Sequence, residues 1–209
     1  MTDHSNSRSG QAFRKLRVQL EELSGLCNAL TETGSTRHLW RRVAHNAQVL
    51  LNVDGCSYYR IVDGMLKPEV MLTQSLGIFT EPPAESKQYF CALPLVDDSK
   101  PVDRFSVAAQ VAHSGEPINI PNVGLMRHYN ESRTREFEQI TGYHTVSMLT
   151  LPVRFQERPV IGVLQLVNAK DTEGELVDFD ESRQIVARAL ASCIALADQV
   201  AHGQHQTAG

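Results

Sequence analysis

Two apolar runs, residues 145–155 and 159–167, flank a short polar turn and constrain the fold more than any other part of the chain. Apolar side chains alternate along the first run, and a second strand-like run follows at once, so the pattern predicts a β-hairpin. Successive side chains point to opposite faces, with Met148 on one face and Ser147 on the other. Because both faces are largely apolar, the sheet needs helices on one side and more protein or a ligand pocket on the other.

Length and charge narrow the class of protein. A chain of 209 residues, 42% hydrophobic and 21% charged, is typical of one soluble domain with extended ends. The formal net charge of -4 favours neither nucleic acid nor an anionic membrane as a partner. No apolar run approaches the ~20 residues that span a bilayer, and the polar start lacks the features of a secretion signal. We therefore expect a cytoplasmic protein.

The residues that bind metals and drive catalysis occur without the spacing that those functions need. The cysteines form no C-x-x-C pair, and no histidine pair has a third ligand nearby, so we expect neither a metal site nor a disulfide framework. No G-x-S-x-G, P-loop or H-E-x-x-H motif is present, so we expect no catalytic activity. The cysteines are Cys27, Cys56, Cys91 and Cys193, and the closely spaced histidines are His38 with His45 and His202 with His205.

The ends of the chain suggest a disordered start at residues 1–10, an N-terminal helix at 11–33 and a polar tail at 202–209. Apolar residues recur in the helix with a three-four spacing, which forms a narrow seam of the coiled-coil type. The helix could lie on the sheet of its own domain or pair with its copy in a dimer. The seam consists of Phe13, Leu16, Leu20, Leu23, Cys27 and Leu30.

A second helix and a second hairpin follow. Ser35 can start a helix whose apolar face faces the core. The runs 56–62 and 65–74 flank Asp63-Gly64, a dipeptide that favours the tight type I′ turn of a hairpin. Pro68 lacks an amide donor, which places at least that position at a sheet edge. The apolar face of the helix carries Leu39, Val43, Ala47, Leu50 and Leu51.

The remaining elements are shorter. Residues 75–102 have no clear period, which predicts a long loop with a short strand at 91–95. A helix from about Val102 to His113 should end at Gly115, before a brief strand at 118–120. A polar helix at 130–139 would cross the open face of the sheet. Asp178 would cap the last helix, whose apolar positions are Val186, Leu190, Cys193, Ala197 and Val200. The order predicts an α+β fold with an antiparallel sheet between terminal helices and a lid of loop and helix.

This order, together with S-G-E-P-I-N-I-P-N-V from Ser114 and T-G-Y-H-T-V-S-M-L-T-L-P-V from Thr141, resembles a GAF domain. The resemblance covers residues 26–197, and the expected domain spans 34–201. It is closest to GAF modules of bacterial signalling proteins, which precede HD-GYP phosphodiesterase, nucleotide cyclase or histidine kinase outputs. It implies a regulatory sensor that binds a small molecule between sheet and lid.

The signature of cyclic-nucleotide-binding GAF domains is only partly present. Asn168 and Phe179 match it, whereas Ala169 displaces the motif lysine to Lys170. Arg183 and Gln184 stand where an acidic pair belongs. The family's lysine to aspartate contact therefore cannot form as such, because Lys170 would meet the cation Arg183. This departure weighs against cyclic AMP or cyclic GMP as the ligand, and the sequence names no cofactor.

The resemblance also implies a pocket and an interface. Tyr58 is an alternative to Tyr59, and each pocket candidate has a structural alternative as a core, capping or cross-strand residue. The expected pocket residues are Ser57, Tyr59, Ser75, Asn122, Tyr129, Phe137, Thr141, Ser147 and Met148. A homodimer through the terminal helices would use Phe13, Leu16, Leu20, Leu23, Leu30, Leu190 and Ala197, and would drive a signalling output domain or partner protein. The alternative function is a dimerisation module with no ligand.

Overall fold

A computed structural model describes residues 21, 24–25, 36–81, 90–95, 106–125 and 132–203. Within these ranges eight strands form one antiparallel sheet, with the order β3-β2-β1-β7-β6-β5; β4 pairs with β2 and β8 with β7. The predicted α+β class and antiparallel sheet are therefore confirmed. None of the helices in these ranges combines the length and apolarity that crossing a bilayer requires.

The elements have the following bounds. The strands are β1 (Val53–Val62), β2 (Met65–Thr73), β3 (Ile78–Thr80), β4 (Leu93–Pro94), β5 (Ile118–Ile120), β6 (Met148–Val153), β7 (Gly162–Lys170) and β8 (Leu176–Val177). The helices are α1 (Thr36–Leu51), α2 (Val107–Ser114), α3 (Ser132–Thr141) and α4 (Glu181–Gly203), and a 3-10 turn covers Val123–Leu125.

Both predicted hairpins are present, and turn chemistry explains the first. Asp63 and Gly64 have φ angles of 52° and 71°, the positive values that a type I′ turn needs. The register shifts between Tyr58 and Tyr59, where Pro68 lies opposite Tyr59. On its other edge β2 pairs with β4 at 65–66 and with β3 at 71–73, so no described strand pairs with Pro68 on that side. The amide donor that Pro68 lacks therefore falls at a position where the ladder of hydrogen bonds between strands is interrupted.

One face of the sheet is covered by α1 and α4. Val43, Ala47 and Leu51 of α1 are buried beside the inward side chains of β1, β6 and β7, as the apolar spacing predicted. Leu190 of α4 lies in the same cluster with 0% exposure in the single chain. Its predicted place in a dimer interface is therefore wrong, since it presents no surface to a second copy. Phe13, Leu16, Leu20, Leu23, Leu30 and the side chain of Ala197 lie outside the described residues.

Helix ends differ from the sequence predictions for local reasons. The third predicted helix begins at Val107 and not at Val102, because the Ser106 hydroxyl caps it by accepting from the Ala109 amide. Gly115 closes this helix with φ of 70°, as expected. Asp180, and not Asp178, caps α4: its carboxylate accepts from the amide of Arg183 at 2.8 Å. The predicted loop 75–102 also contains a strand that was missed, β3.

Candidate functional site

A cavity of about 110 Å³ lies on the face of the sheet opposite α1 and α4. Strands β1, β2, β6 and β7 form its floor, while the start of α2 and the helix α3 form its walls. The space is several times what one water molecule needs. The cavity is lined by Cys56, Ser57, Tyr59, Met71, Leu72, Thr73, Cys91, Leu93, Ser106, Val107, Ala108, Thr134, Glu136, Phe137, Tyr143, Thr145, Met148, Gln165 and Val167.

Four of the predicted pocket residues line this cavity: Ser57, Tyr59, Phe137 and Met148. Tyr58, the alternative to Tyr59, points to the opposite face and packs on Trp40 with ring centroids 4.6 Å apart. Tyr129 lies outside the described residues. The alternation of β1 thus selects one of the two adjacent tyrosines for the cavity.

Four other predicted residues do not line the cavity, because local hydrogen bonds hold their polar atoms elsewhere. Ser75 donates to the Asp54 carboxylate at 2.7 Å, and Asn122 accepts from the Gly124 amide. Thr141, the last residue of α3, donates to the Phe137 carbonyl. Ser147 is fully buried on the other face, where it donates to the Val177 carbonyl at 2.7 Å. Met148 faces the cavity, whereas the side chain of its neighbour Ser147 points to the opposite face, as alternation along a strand requires.

Two lining residues that the sequence did not single out give the cavity an oriented amide and an aromatic corner. Gln165 donates to Thr150 at 3.2 Å and contacts the sulfur of Met148 at 3.3 Å, which fixes its amide in the floor. Tyr143 packs edge-on against Phe137, with ring centroids 5.7 Å apart. The wall therefore combines an aromatic corner with one oriented amide, as ligand sites in proteins commonly do. The sequence signal that could have identified Gln165 was the alternation along its strand, which places its side chain on the face of the sheet away from the helices α1 and α4.

Behind Tyr143 lies a buried carboxylate. Asp54 is 2% exposed and accepts hydrogen bonds from Lys170 and Ser75, and its carboxylate interacts with the Tyr143 hydroxyl. Burial alone would raise the pKa of Asp54, but these three partners outweigh it and hold the pKa below its usual value. Burial and the neighbouring Asp54 raise the pKa of Tyr143, so its hydroxyl stays protonated. The charged groups of this cluster are therefore the carboxylate of Asp54 and the ammonium group of Lys170, which form an ion pair.

Asn168 organises the segment that carries Tyr143. Its backbone has a φ of 56°, and its side-chain oxygen accepts from the Val146 amide at 2.7 Å. Its side-chain nitrogen donates to the Tyr143 hydroxyl at 3.0 Å and to the His144 carbonyl at 2.8 Å. One amide therefore satisfies several backbone and side-chain groups between α3 and β6, which gives a structural reason for this motif residue.

The other two motif residues have structural partners as well. Lys170 does contact an aspartate, although it is Asp54 of β1 and not a residue of the last helix. The expected meeting of two cations does not occur, because Arg183 pairs with Asp180 at 2.8 Å and donates to the Lys170 carbonyl at 3.0 Å. Phe179 is 1% exposed and belongs to the core.

Two of the described thiols, Cys56 and Cys91, line the cavity. Burial raises the pKa of Cys56 to about 12, so this thiol is neutral. Cys91 is half-buried in the cavity wall. Among the described residues no three His, Cys, Asp or Glu side chains come together as a metal ion would require.

Known proteins resemble this chain in sequence and in fold. A Drosophila melanogaster protein, "Dual 3',5'-cyclic-AMP and -GMP phosphodiesterase 11", is 29% identical over 185 residues, which are 81% of this chain and 12% of that protein. The GAF domain from an Acinetobacter phosphoenolpyruvate-protein phosphotransferase has a TM-score of 0.60 at 19% identity, covering 91% of this chain and 97% of that one.

Two further solved structures differ in what they do. A domain of a sensor histidine kinase protein from Sinorhizobium meliloti has a TM-score of 0.56 at 16% identity, covering 85% of this chain and 100% of that one. A free methionine-R-sulfoxide reductase from Neisseria meningitidis has a TM-score of 0.57 at 14% identity, covering 89% of this chain and 91% of that one. The fold therefore occurs in both regulatory domains and enzymes. The GAF domain model matches residues 35–197, and the chain belongs to the GAF domain family.

Proposed function

We propose that this chain is a non-catalytic sensor module that binds a small molecule in the cavity between the sheet and α3. The observation that carries the proposal is the mixed wall of that cavity. Tyr59, Phe137 and Tyr143 supply ring surface, while Gln165 and Ser57 supply polar groups between them. Such a wall suits a ligand with an apolar body and a few polar atoms.

Occupancy would be transmitted through the terminal helices of a homodimer to a signalling output. A ligand shifts such an equilibrium only as far as it binds one state better than the other. Helix α4 packs on the face of the sheet opposite the cavity, beside α1. Likeness to a domain of a sensor histidine kinase protein supports this role.

The choice of ligands for testing follows from the relatives. The Drosophila melanogaster relative is a cyclic-AMP and cyclic-GMP phosphodiesterase, so cyclic nucleotides belong in the screen despite the altered motif at Lys170. The Neisseria relative was solved with its substrate, so amino acids and their sulfoxides belong there too. Cyclic dinucleotides and common metabolites complete the set.

The test is native mass spectrometry of the purified chain, followed by a thermal-shift screen of those compounds. A retained small molecule, or a compound that raises the melting temperature by binding the folded state, supports the sensor. The matched pair of variants is Phe137→Ala, in the cavity wall, and Ile140→Ala, which is 42% exposed on the same helix. We expect the first to lose the response and the second to keep it. An empty dimer that ignores every compound would instead indicate a dimerisation module.

A further inference from the structure

We propose that Tyr143, Asp54, Lys170 and Arg183 form a connection that links the cavity wall to the first turn of α4. This inference rests on the proposed sensor function and specifies how the site is regulated. The connection passes around one end of the sheet, where β1 begins and β7 ends. It joins the two faces of the domain without crossing the packed core between them.

The connection begins at the cavity. The ring of Tyr143 lines the wall, whereas its hydroxyl is turned away toward Asp54 and Asn168. A ligand that displaces the ring must therefore also displace the hydroxyl. Because Tyr143 is 6% exposed and packed against Phe137, the ring has little freedom to move independently of its neighbours.

The middle of the connection is the ion pair. Asp54 is buried at the start of β1 and holds the ammonium group of Lys170 at the end of β7. The carbonyl of Lys170 in turn accepts from the side chain of Asn52 at 2.9 Å. A change at Asp54 thus alters the position of Lys170 and of its backbone carbonyl.

The far end is the start of α4. Arg183 donates to the Lys170 carbonyl at 3.0 Å and to the Asp180 carboxylate at 2.8 Å. Asp180 caps the helix: its carboxylate accepts from the Arg183 amide at 2.8 Å, and its backbone carbonyl accepts from the Gln184 amide at 3.0 Å. The side chain that caps α4 is therefore held by the same guanidinium that contacts Lys170. A shift of that carbonyl would loosen the cap.

The first experiment measures hydrogen exchange in the full chain without any ligand. Tyr143→Phe removes only the hydroxyl, and Ser57→Ala removes a hydroxyl from the cavity wall that has no part in the connection. We expect Tyr143→Phe to speed exchange of the Arg183 and Gln184 amides about tenfold, since it removes the hydroxyl that accepts from Asn168 at 3.0 Å and interacts with the Asp54 carboxylate. Ser57→Ala should leave those amides unchanged.

Amides of the central strand β7 report on global stability. If residues 163–166 exchange faster by the same factor as Arg183 and Gln184, the effect is general loosening and the proposal is overturned. It is overturned equally if the two α4 amides do not respond to Tyr143→Phe. Selective acceleration in α4 supports it.

A double-mutant cycle gives a second, independent measurement. Tyr143→Phe and Arg183→Met are made singly and together, and urea unfolding is followed for each. We expect the combined effect on the unfolding equilibrium constant to depart from the product of the single effects by about fivefold, because coupled residues are not additive. Multiplicative effects would count against the connection. Neither measurement uses a ligand, so a result that overturns the connection can be distinguished from a failed ligand screen.

Discussion

Lys170 and Asp54 stand 116 positions apart in the chain and form an ion pair in which the carboxylate is almost fully buried. Replacing Lys170 by Met would leave that carboxylate without its cation. We expect the free energy of unfolding to fall by about 3 kcal/mol, the usual cost of breaking a buried pair from one side. Urea denaturation measures it, and Lys67→Met, at an exposed pair with Asp63, serves as the control with little loss. Equal losses in both variants would contradict the central role of Asp54.

The same carboxylate should make stability depend on pH. The pKa of Asp54 is lower in the folded chain than its ordinary value of about 4, so its contribution is fully present above that value. The contribution is lost as pH falls through the folded-state pKa. We therefore expect the stability difference between wild type and Asp54→Asn to be largest near neutral pH and to shrink in acid. Urea midpoints over that range test it, and a constant difference would show that Asp54 is not the titrating group.

Asn168 allows backbone and side-chain effects to be separated. Asn168→Gly tolerates the φ of 56° and loses only the hydrogen bonds, whereas Asn168→Ala loses them and also strains the backbone. We expect a loss of about 2 kcal/mol for glycine and about 1 kcal/mol more for alanine. Chemical denaturation gives both values. An alanine variant as stable as the glycine variant would refute the backbone part.

Gly162 has no room for a side chain. An added Cβ would lie 2.5 Å from the Tyr59 carbonyl and 2.7 Å from the ring of Tyr58. We expect Gly162→Ala to lower the free energy of unfolding by about 3 kcal/mol, since a packed core resists overfilling. Gly64→Ala meets no atom within 4 Å and strains only the backbone, so it should cost about 1 kcal/mol. Calorimetry compares the two, and the opposite order would contradict this packing.

The N-terminal seam predicts the oligomeric state. Replacing Leu20 and Leu23 by Glu would place charges in an apolar stripe, and we expect a dimer to dissociate to monomers. Light scattering after size-exclusion chromatography reports the mass. Lys15→Glu with Val18→Glu, outside the apolar spacing, is the control and should stay dimeric. A dimer that survives the leucine changes would place the interface elsewhere.

Sequence patterns predicted those parts of the fold that depend on local chemistry. Asp63-Gly64 indicated its hairpin because a type I′ turn demands positive φ, and Gly115 indicated a helix end for a similar reason. Strand β3 was missed because it is short (Ile78–Thr80) and is defined by its pairing with β2, which the local sequence does not reveal. Asp178 and Asp180 both precede α4 closely, and local sequence does not decide between them; in the structure the carboxylate of Asp180 accepts from the Arg183 amide.

The cavity was harder to predict, because its residues come from distant segments. Ser57, Tyr59, Phe137 and Met148 followed from the expected fold and strand alternation. The failures, such as Ser75 and Thr141, are small polar side chains whose partners are nearby groups that the sequence does not reveal. The sequence does not identify Tyr143 as a lining residue, since nothing local shows that its ring faces the cavity and its hydroxyl faces Asp54.

The pairing of β1 with β7 also has a consequence for how the protein is made. Val53 lies opposite Ala169, so two strands that are neighbours at the centre of the sheet pair residues 116 positions apart in the chain. A ribosome must synthesise residue 169 and release it from the exit tunnel before the first hairpin can meet its central partner. Until then only α1 covers the helix-facing side of β1 and β2, and the apolar side chains that β7 and α4 later bury are open to chaperones. The domain is therefore expected to close late in translation, in one cooperative step.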